Sequence, residues 1–241
     1  MFNIIIADSY DKISSEAFRI LKEIMLADSP VLGLATGSSP IGLYKKMIAD
    51  HNTNGTSYAK AITFNLDEYI GIPASHEQSY RSFMHENLFD HIDIPEENIY
   101  IPRGDGEDHA ADCAAYEAEL AKYHIDLQIL GIGSDGHIGF NEPGTSFDSL
   151  THVTDLAEQT RKDNARFFDD DIGQVPSQAV TMGLASIMKA RKILVIACGA
   201  NKAEAVYGMI KGPQSEECPA SILQSHDDVT VILDKEAAVR L

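Results

Sequence analysis

Basic residues are scarce in this 241-residue chain: 19 Lys and Arg stand against 37 Asp and Glu, a formal net charge of −18. With no cluster of Lys and Arg to neutralise phosphates, nucleic acid is excluded as a partner. A small phosphorylated metabolite asks for less, roughly two or three local cations and a few backbone N–H groups, so the charge leaves that class of ligand open. Cysteine is scarcer still. Cys113, Cys198 and Cys218 are far apart and form no C-x-x-C pair, which excludes a disulfide framework and a zinc–cysteine pattern. Cys198 follows the apolar run 193–197 and is expected to be a small buried hydrophobe. No apolar stretch reaches membrane-spanning length, and the opening Met-Phe-Asn-Ile-Ile-Ile lacks the basic region of a signal peptide. A cytoplasmic protein with no membrane contact is the expectation. Repeats, low-complexity tracts and Pro/Gly/Ser-rich linkers are absent too, so the chain reads as a single domain.

What is present is ordinary globular material, 44% hydrophobic and 23% charged. Short β-rich runs at 3–7, 31–35, 62–66, 127–132, 179–182, 193–197 and 229–233 alternate with longer amphipathic stretches at 14–27, 41–51, 79–89, 109–123 and 202–210. Ser14-Ser15-Glu16, ahead of Phe18, Ile20, Leu21 and Ile24, is the expected start of the first helix. Strands joined by helical crossovers predict a single α/β domain. Its sheet is mostly parallel and open, with helices on both faces in the Rossmann-like manner. The 157–175 segment stands apart. It mixes Arg161, Lys162 and Arg166 with Asp163, Asp169, Asp170 and Asp171, and it suits a surface lid or, equally, a solvated helix.

Four motifs carry chemistry. The run 130–144, Leu-Gly-Ile-Gly-Ser-Asp-Gly-His-Ile-Gly-Phe-Asn-Glu-Pro-Gly, follows an apolar strand and places Asp135, His137 and Glu142 in a glycine-rich turn. Histidine exchanges protons near neutral pH, and the two carboxylates are suited to fixing its tautomer and orientation. The same three could ligate a metal, although no second histidine or cysteine stands at ligand spacing. A satisfied loop histidine is the plain alternative. Thr36-Gly37-Ser38-Ser39-Pro40 lies between a strand and a helix. Exposed N–H groups at a helix start form an anion site, against the reading of an ordinary capping turn. In Asn65-Leu66-Asp67-Glu68-Tyr69 two adjacent carboxylates end a strand and point different ways. One is suited to be a general base in a crevice, or both are turn acids. Lys202, in Gly199-Ala200-Asn201-Lys202-Ala203, opens a helix, where a cation is disfavoured unless an anion lies nearby.

Taken together and in this order, these motifs, with Asn164-Ala165-Arg166-Phe167-Phe168, resemble those of the glucosamine-6-phosphate deaminases over essentially the whole chain. The Phe-Asn-Glu-Pro continuation at 140–143 is not usual in the related 6-phosphogluconolactonases. The resemblance implies a sugar-phosphate isomerase/deaminase that makes fructose 6-phosphate and ammonia from glucosamine 6-phosphate and water, with no metal or organic cofactor. It implies that His137 assists ring opening, supported by Asp135 and Glu142, and that Asp67 moves a proton from C2 to C1. Thr36, Gly37, Ser38 and Ser39 would hold the 6-phosphate with Arg166 and Lys202, the 157–175 segment closing over it. Longer hexameric members bind an N-acetylated sugar phosphate through basic residues just after Asn-Glu-Pro. Here 150–156 has no Lys or Arg, and the chain ends soon after its last expected strand. The expectation is therefore a monomer or small homo-oligomer without that activation, whose partner is a small sugar phosphate. Rival readings are a C4-epimeric substrate, a lactonase, and a non-catalytic sugar-phosphate sensor.

Overall fold

The computed structural model describes residues 2–241. Its first half runs β1 (Asn3–Ala7), α1 (Tyr10–Ile24), β2 (Val31–Leu34), α2 (Ile41–Asn54), β3 (Ile62–Asn65), β4 (Asp67–Tyr69), α3 (Tyr80–Asn87), β5 (Ile99–Tyr100) and α4 (His109–Leu120). Its second half runs β6 (Leu127–Leu130), β7 (His152–Asp155), α5 (Glu158–Asn164), β8 (Gln178–Thr181), α6 (Leu184–Ile187), β9 (Ile193–Ala197), α7 (Ala203–Lys211) and β10 (Val229–Asp234). Seven strands form one parallel sheet in the order β1-β10-β9-β6-β2-β3-β5.

The central strands are continuous apolar runs because helices cover both faces. Alternate residues of β9 feed the two layers. Ile193, Val195 and Ala197 pack with α4, α6 and α7 through Tyr116, Leu120, Ile187, Val206 and Met209. Leu194 and Ile196 pack with α1, α2 and α3 through Ile13, Leu21, Leu43, Met47 and Met84. The expected parallel strands 3–7, 31–35, 62–66, 127–132, 193–197 and 229–233 all lie here, each within a residue or two.

Two expectations are corrected. The run 179–182 does not join the parallel sheet; β8 is the middle strand of a separate antiparallel sheet, β4-β8-β7. Its flanking strands are a three-residue run and the polar His152–Asp155, too short or too polar to stand out in the sequence. The first helix also starts earlier, at Tyr10, with the Ser9 hydroxyl accepting from Lys12 N–H at 3.3 Å. Ser14 lies inside that helix, its hydroxyl donating to the Tyr10 carbonyl at 2.8 Å, so a cap-like sequence is used as back-bonding instead.

α1 and α2 are pinned by a buried carboxylate. Asp50 on α2 accepts from Lys22 Nζ of α1 at 2.9 Å, from Asn54 at 2.6 Å and from Thr56 at 2.5 Å. Desolvation opposes the charge, but the donors Thr56, Asn54 and Lys22 prevail and hold the carboxyl down at about 2. A depressed folded-state value means stabilisation that is present above the unfolded value near 4 and lost as pH falls through 2. Asp50→Ala is expected to cost about 1–2 kcal/mol at pH 7, since it removes three hydrogen bonds whose donors on Lys22, Asn54 and Thr56 can turn to water. In urea unfolding, the gap between the two proteins should close as pH is lowered from 5 to 2.

Candidate active site

The strand order turns back between β2 and β6. From β2 the sheet extends through β3 and β5; from β6 it extends through β9, β10 and β1. The carboxyl edge at such a reversal is where open α/β sheets leave a crevice. Here it holds a cavity of about 620 Å³ walled by the loops after β2, β3, β6 and β9 and by α5.

One wall is built to hold an anion. Gly37, at φ +83°, turns the chain after β2, and the N–H groups of Gly37, Ser38 and Ser39 meet no protein acceptor among the described residues. Pro40 precedes α2 and supplies no capping side chain. That role falls to Tyr10, whose hydroxyl accepts from Gly42 N–H at 2.8 Å and donates to the Ser38 carbonyl at 2.7 Å. With the carbonyl held back, the turn presents its N–H groups. Ser38, Ser39 and Thr36 line the cavity, as do Arg166 and Lys202. Neither cation has a carboxylate oxygen within ion-pair distance among the described residues; Arg166 lies instead over the Phe167 ring, 4.7 Å from its centroid. Burial pulls the Lys202 ammonium below its usual value, and Asp163 and Asp135 only partly restore it.

The other wall carries acid–base groups. Asp67 opens β4 and is 5% exposed, with no protein hydrogen bond to its carboxylate among the described residues. Its neighbour Glu68 points the opposite way, out of the cavity wall, and accepts the N–H groups of Tyr69, Tyr80 and Arg81 at 2.8, 2.8 and 2.9 Å. Adjacent strand positions thus separate one free carboxylate from one bonded carboxylate. Burial, with the Glu68 charge behind it, pushes the Asp67 carboxyl up to about 8.

His137 faces the cavity from the loop after β6; Asp135 and Glu142 stand behind its ring, off the cavity wall. Nδ1 lies 2.8 Å from Asp135 Oδ1 and 3.6 Å from Glu142 Oε2, a close charge contact rather than an aligned hydrogen bond. The Asp135 oxygen also accepts the His137 backbone N–H at 3.2 Å. Against desolvation, the His137 ring and backbone hold the Asp135 carboxyl down at about 2. The loop is glycine-rich because the ring lies on it: a Cβ on Gly133 would stand 2.3 Å from His137 Nδ1 and Cε1. Asp135, His137 and Glu142 offer ligand atoms within 4.8 Å of one another, so the geometry alone would admit an ion there. Glu142 Oε1 is already taken by Thr160 Oγ1 at 2.7 Å and Ala157 N–H at 3.2 Å.

The structure therefore brings every expected residue to one place, with Gly37 shaping the turn and Asp135 and Glu142 one layer behind the wall. Tyr10, Tyr80, Phe140, Thr160 and Asn164 complete the surroundings without having been singled out as site residues. Tyr10 and Thr160 reach the site only through tertiary contacts, and no local pattern marks them. Cys198 departs from expectation: it is half-buried and lines the cavity, and burial raises its thiol to about 11. The 157–175 segment forms α5 and a 3-10 turn at Ala165–Phe167, anchored by Ala165, Phe168 and Val175 on Tyr69, Phe140 and Leu156.

A parallel sheet with helices on both faces, whose strand order reverses beside a cavity lined by a helix-start turn, a buried carboxylate and a histidine, is the architecture of an α/β enzyme that binds its ligand at the carboxyl edge of the sheet. The model of the family of glucosamine-6-phosphate isomerases and 6-phosphogluconolactonases matches residues 11–232, and the chain belongs to that family. It is 50% identical over 236 residues to a glucosamine-6-phosphate deaminase of Halalkalibacterium halodurans, spanning 97% of this chain and 96% of that one. A deaminase of Streptococcus thermophilus is 51% identical over 225 residues, 93% of this chain and 94% of its own. Among solved structures, a monomeric glucosamine-6-phosphate deaminase superposes with a TM-score of 0.97 at 43% identity, over 99% of this chain and 100% of that one. The 6-phosphogluconolactonase of Trypanosoma brucei shares the fold, with a TM-score of 0.81 at 24% identity and coverage of 100% of this chain and 99% of that one.

The raised Asp67 carboxyl has a measurable consequence. Between pH 4 and 8 the folded protein keeps a proton that the unfolded chain releases, so stability falls as pH rises, by up to about 1.4 kcal/mol per unit. Asp67→Asn keeps the shape and cannot ionise. Its thermal midpoint should exceed that of the unaltered protein, and the excess should grow from pH 5 to pH 8.

Proposed function

We propose that the chain is a glucosamine-6-phosphate deaminase, converting glucosamine 6-phosphate and water to fructose 6-phosphate and ammonia. The observation that carries this reading is the buried, unpaired Asp67 in the same cavity as His137, the helix-start turn of Thr36, Ser38 and Ser39, and two unpaired cations. An aldose–ketose shift needs a base over C1 and C2, a proton carrier at the ring oxygen, and an anchor at the far end of the sugar. A lactonase needs no such base.

In this reading the 6-phosphate lies on Ser38 and Ser39 N–H, with Lys202 from below and Arg166 from the 157–175 segment, which closes as a lid. His137, oriented by Asp135 and Glu142, moves a proton at the ring oxygen and frees the C1 aldehyde. Asp67 takes the proton from C2 and returns it to C1. As O1 gains a proton and the nitrogen gives one up, the amine-bearing C2 becomes an imine, which water hydrolyses to the ketone and ammonia. A carboxyl near 8 is a weak carboxylate population at neutral pH in the empty site. The ammonium of the bound amino sugar favours its charged form, so substrate binding itself readies the base. Each step uses a protein group or water. A single chain with this cavity is sufficient for the chemistry, and 150–156 offers no cation for an N-acetylated sugar phosphate activator.

Ammonia release from glucosamine 6-phosphate, in EDTA, is the test, with galactosamine 6-phosphate and 6-phosphogluconolactone in parallel. Hyperbolic turnover of the first alone, unaltered by N-acetylglucosamine 6-phosphate, is expected. Silence on it, or lactone hydrolysis instead, would overturn the reading; sigmoidal kinetics relieved by the acetylated sugar would overturn only the non-allosteric part. Because kcat/KM reports the free enzyme, its acid limb should lie near the Asp67 value of about 8, and the kcat limb should lie lower. His137→Ala should lower kcat by about 10²-fold or more while changing the affinity for substrate far less.

A further inference from the structure

We infer that Thr160 is a positioning residue for His137, acting through Glu142, and that it couples the 157–175 segment to proton transfer at the sugar ring. This rests on the deaminase reading and names a residue to which that reading assigns no role.

Glu142 has two oxygens with different tasks. Oε2 faces His137 Nδ1 at 3.6 Å and has no hydrogen-bond partner. Oε1 is held from outside the catalytic loop, by the Thr160 hydroxyl at 2.7 Å and the Ala157 N–H at 3.2 Å. Both donors belong to the start of α5. Thr160 is 4% exposed and Glu142 8%, so water does not readily replace either donor. A buried carboxylate with one oxygen fixed can rotate only about that fixed point. The distance from Oε2 to the imidazole is thus set by where α5 begins.

The same short segment carries Arg166, in the 3-10 turn that follows α5. Asn164, at the end of α5, donates to the Tyr69 hydroxyl at 2.9 Å, and Ala165 and Phe168 are buried against Tyr69 and Phe140. One rigid piece therefore holds Glu142 at its beginning and an unpaired phosphate-seeking cation at its end. The Thr160 hydroxyl already holds Glu142 in this structure, so a phosphate that anchors Arg166 steadies the segment that keeps Glu142 behind the imidazole, which ties anchoring of the far end of the sugar to chemistry at O5.

The test uses Thr160→Val, which keeps the shape and removes the hydroxyl, with Thr160→Ser as the rescue. Turnover of glucosamine 6-phosphate is measured beside the affinity for its acyclic alditol, 2-amino-2-deoxyglucitol 6-phosphate, which has a phosphate but no ring to open. Thr160→Val is expected to lower kcat about 10-fold with KM within about 2-fold, and to leave the alditol affinity unchanged. Thr160→Ser is expected to recover most of kcat, and the melting temperatures of all three proteins should agree within a few degrees. An unchanged kcat in Thr160→Val would overturn the inference. So would equal losses in Thr160→Val and Thr160→Ser, or a fall in alditol affinity that matches the fall in kcat, since either marks general loosening of the segment. If the unaltered protein releases no ammonia from glucosamine 6-phosphate, the deaminase reading itself fails and this inference falls with it.

Discussion

A carboxylate buried without a partner is costly, and the arrangement around Asp67 follows from keeping one. A cation would neutralise it, and none lies within ion-pair distance of it among the described residues. The side chain sits on a short strand of the small antiparallel sheet, below the reversal of the large one, with Leu66 and Phe140 nearby on the cavity wall. The charge of Glu68, which could have shared a pocket with it, is turned away and spent on the first turn of α3. The cations Arg166 and Lys202 line the same cavity, and neither lies within ion-pair distance of Asp67 among the described residues. A carboxyl near 8 results, which in the proposed reaction a bound cationic amine shifts towards its charged form.

The carboxylate–imidazole unit obeys the opposite rule. Asp135 accepts the His137 backbone N–H, lies against the His137 ring and is held at about 2, so it stays charged at every working pH. Two acids within one site are thereby driven apart, one fixed as an anion behind a histidine and one kept near neutrality in front of the substrate. In the proposed reaction this separation lets a single cavity support proton movements at two different atoms of one sugar.

Much of this was legible in the chain. The parallel strands announce themselves because burial on both faces leaves uninterrupted apolar runs, as in Ile193–Ala197. The glycine-rich turns announce the site because a histidine lying on the backbone requires Gly133, and an anion turn requires Gly37. What was not legible is set by distance in sequence. The antiparallel sheet rests on β4 and β7, which are too short or too polar to show a period. Tyr10 caps a helix that starts 31 residues later, and Thr160 braces a carboxylate 18 residues away; neither leaves a local trace. Cys198 was misplaced because its strand is buried while the residue just beyond its end opens into the cavity.

The central claim is that Asp67 alone carries the proton between C2 and C1. Turnover of glucosamine 6-phosphate bearing deuterium at C2, with the product analysed at C1, tests it directly. The account predicts slower turnover of the labelled sugar and part of the deuterium recovered at C1 of fructose 6-phosphate, with both signals absent when Asp67 is replaced by Asn. Product formed at full rate by the Asp67→Asn protein, with C1 hydrogen drawn wholly from solvent, would contradict it.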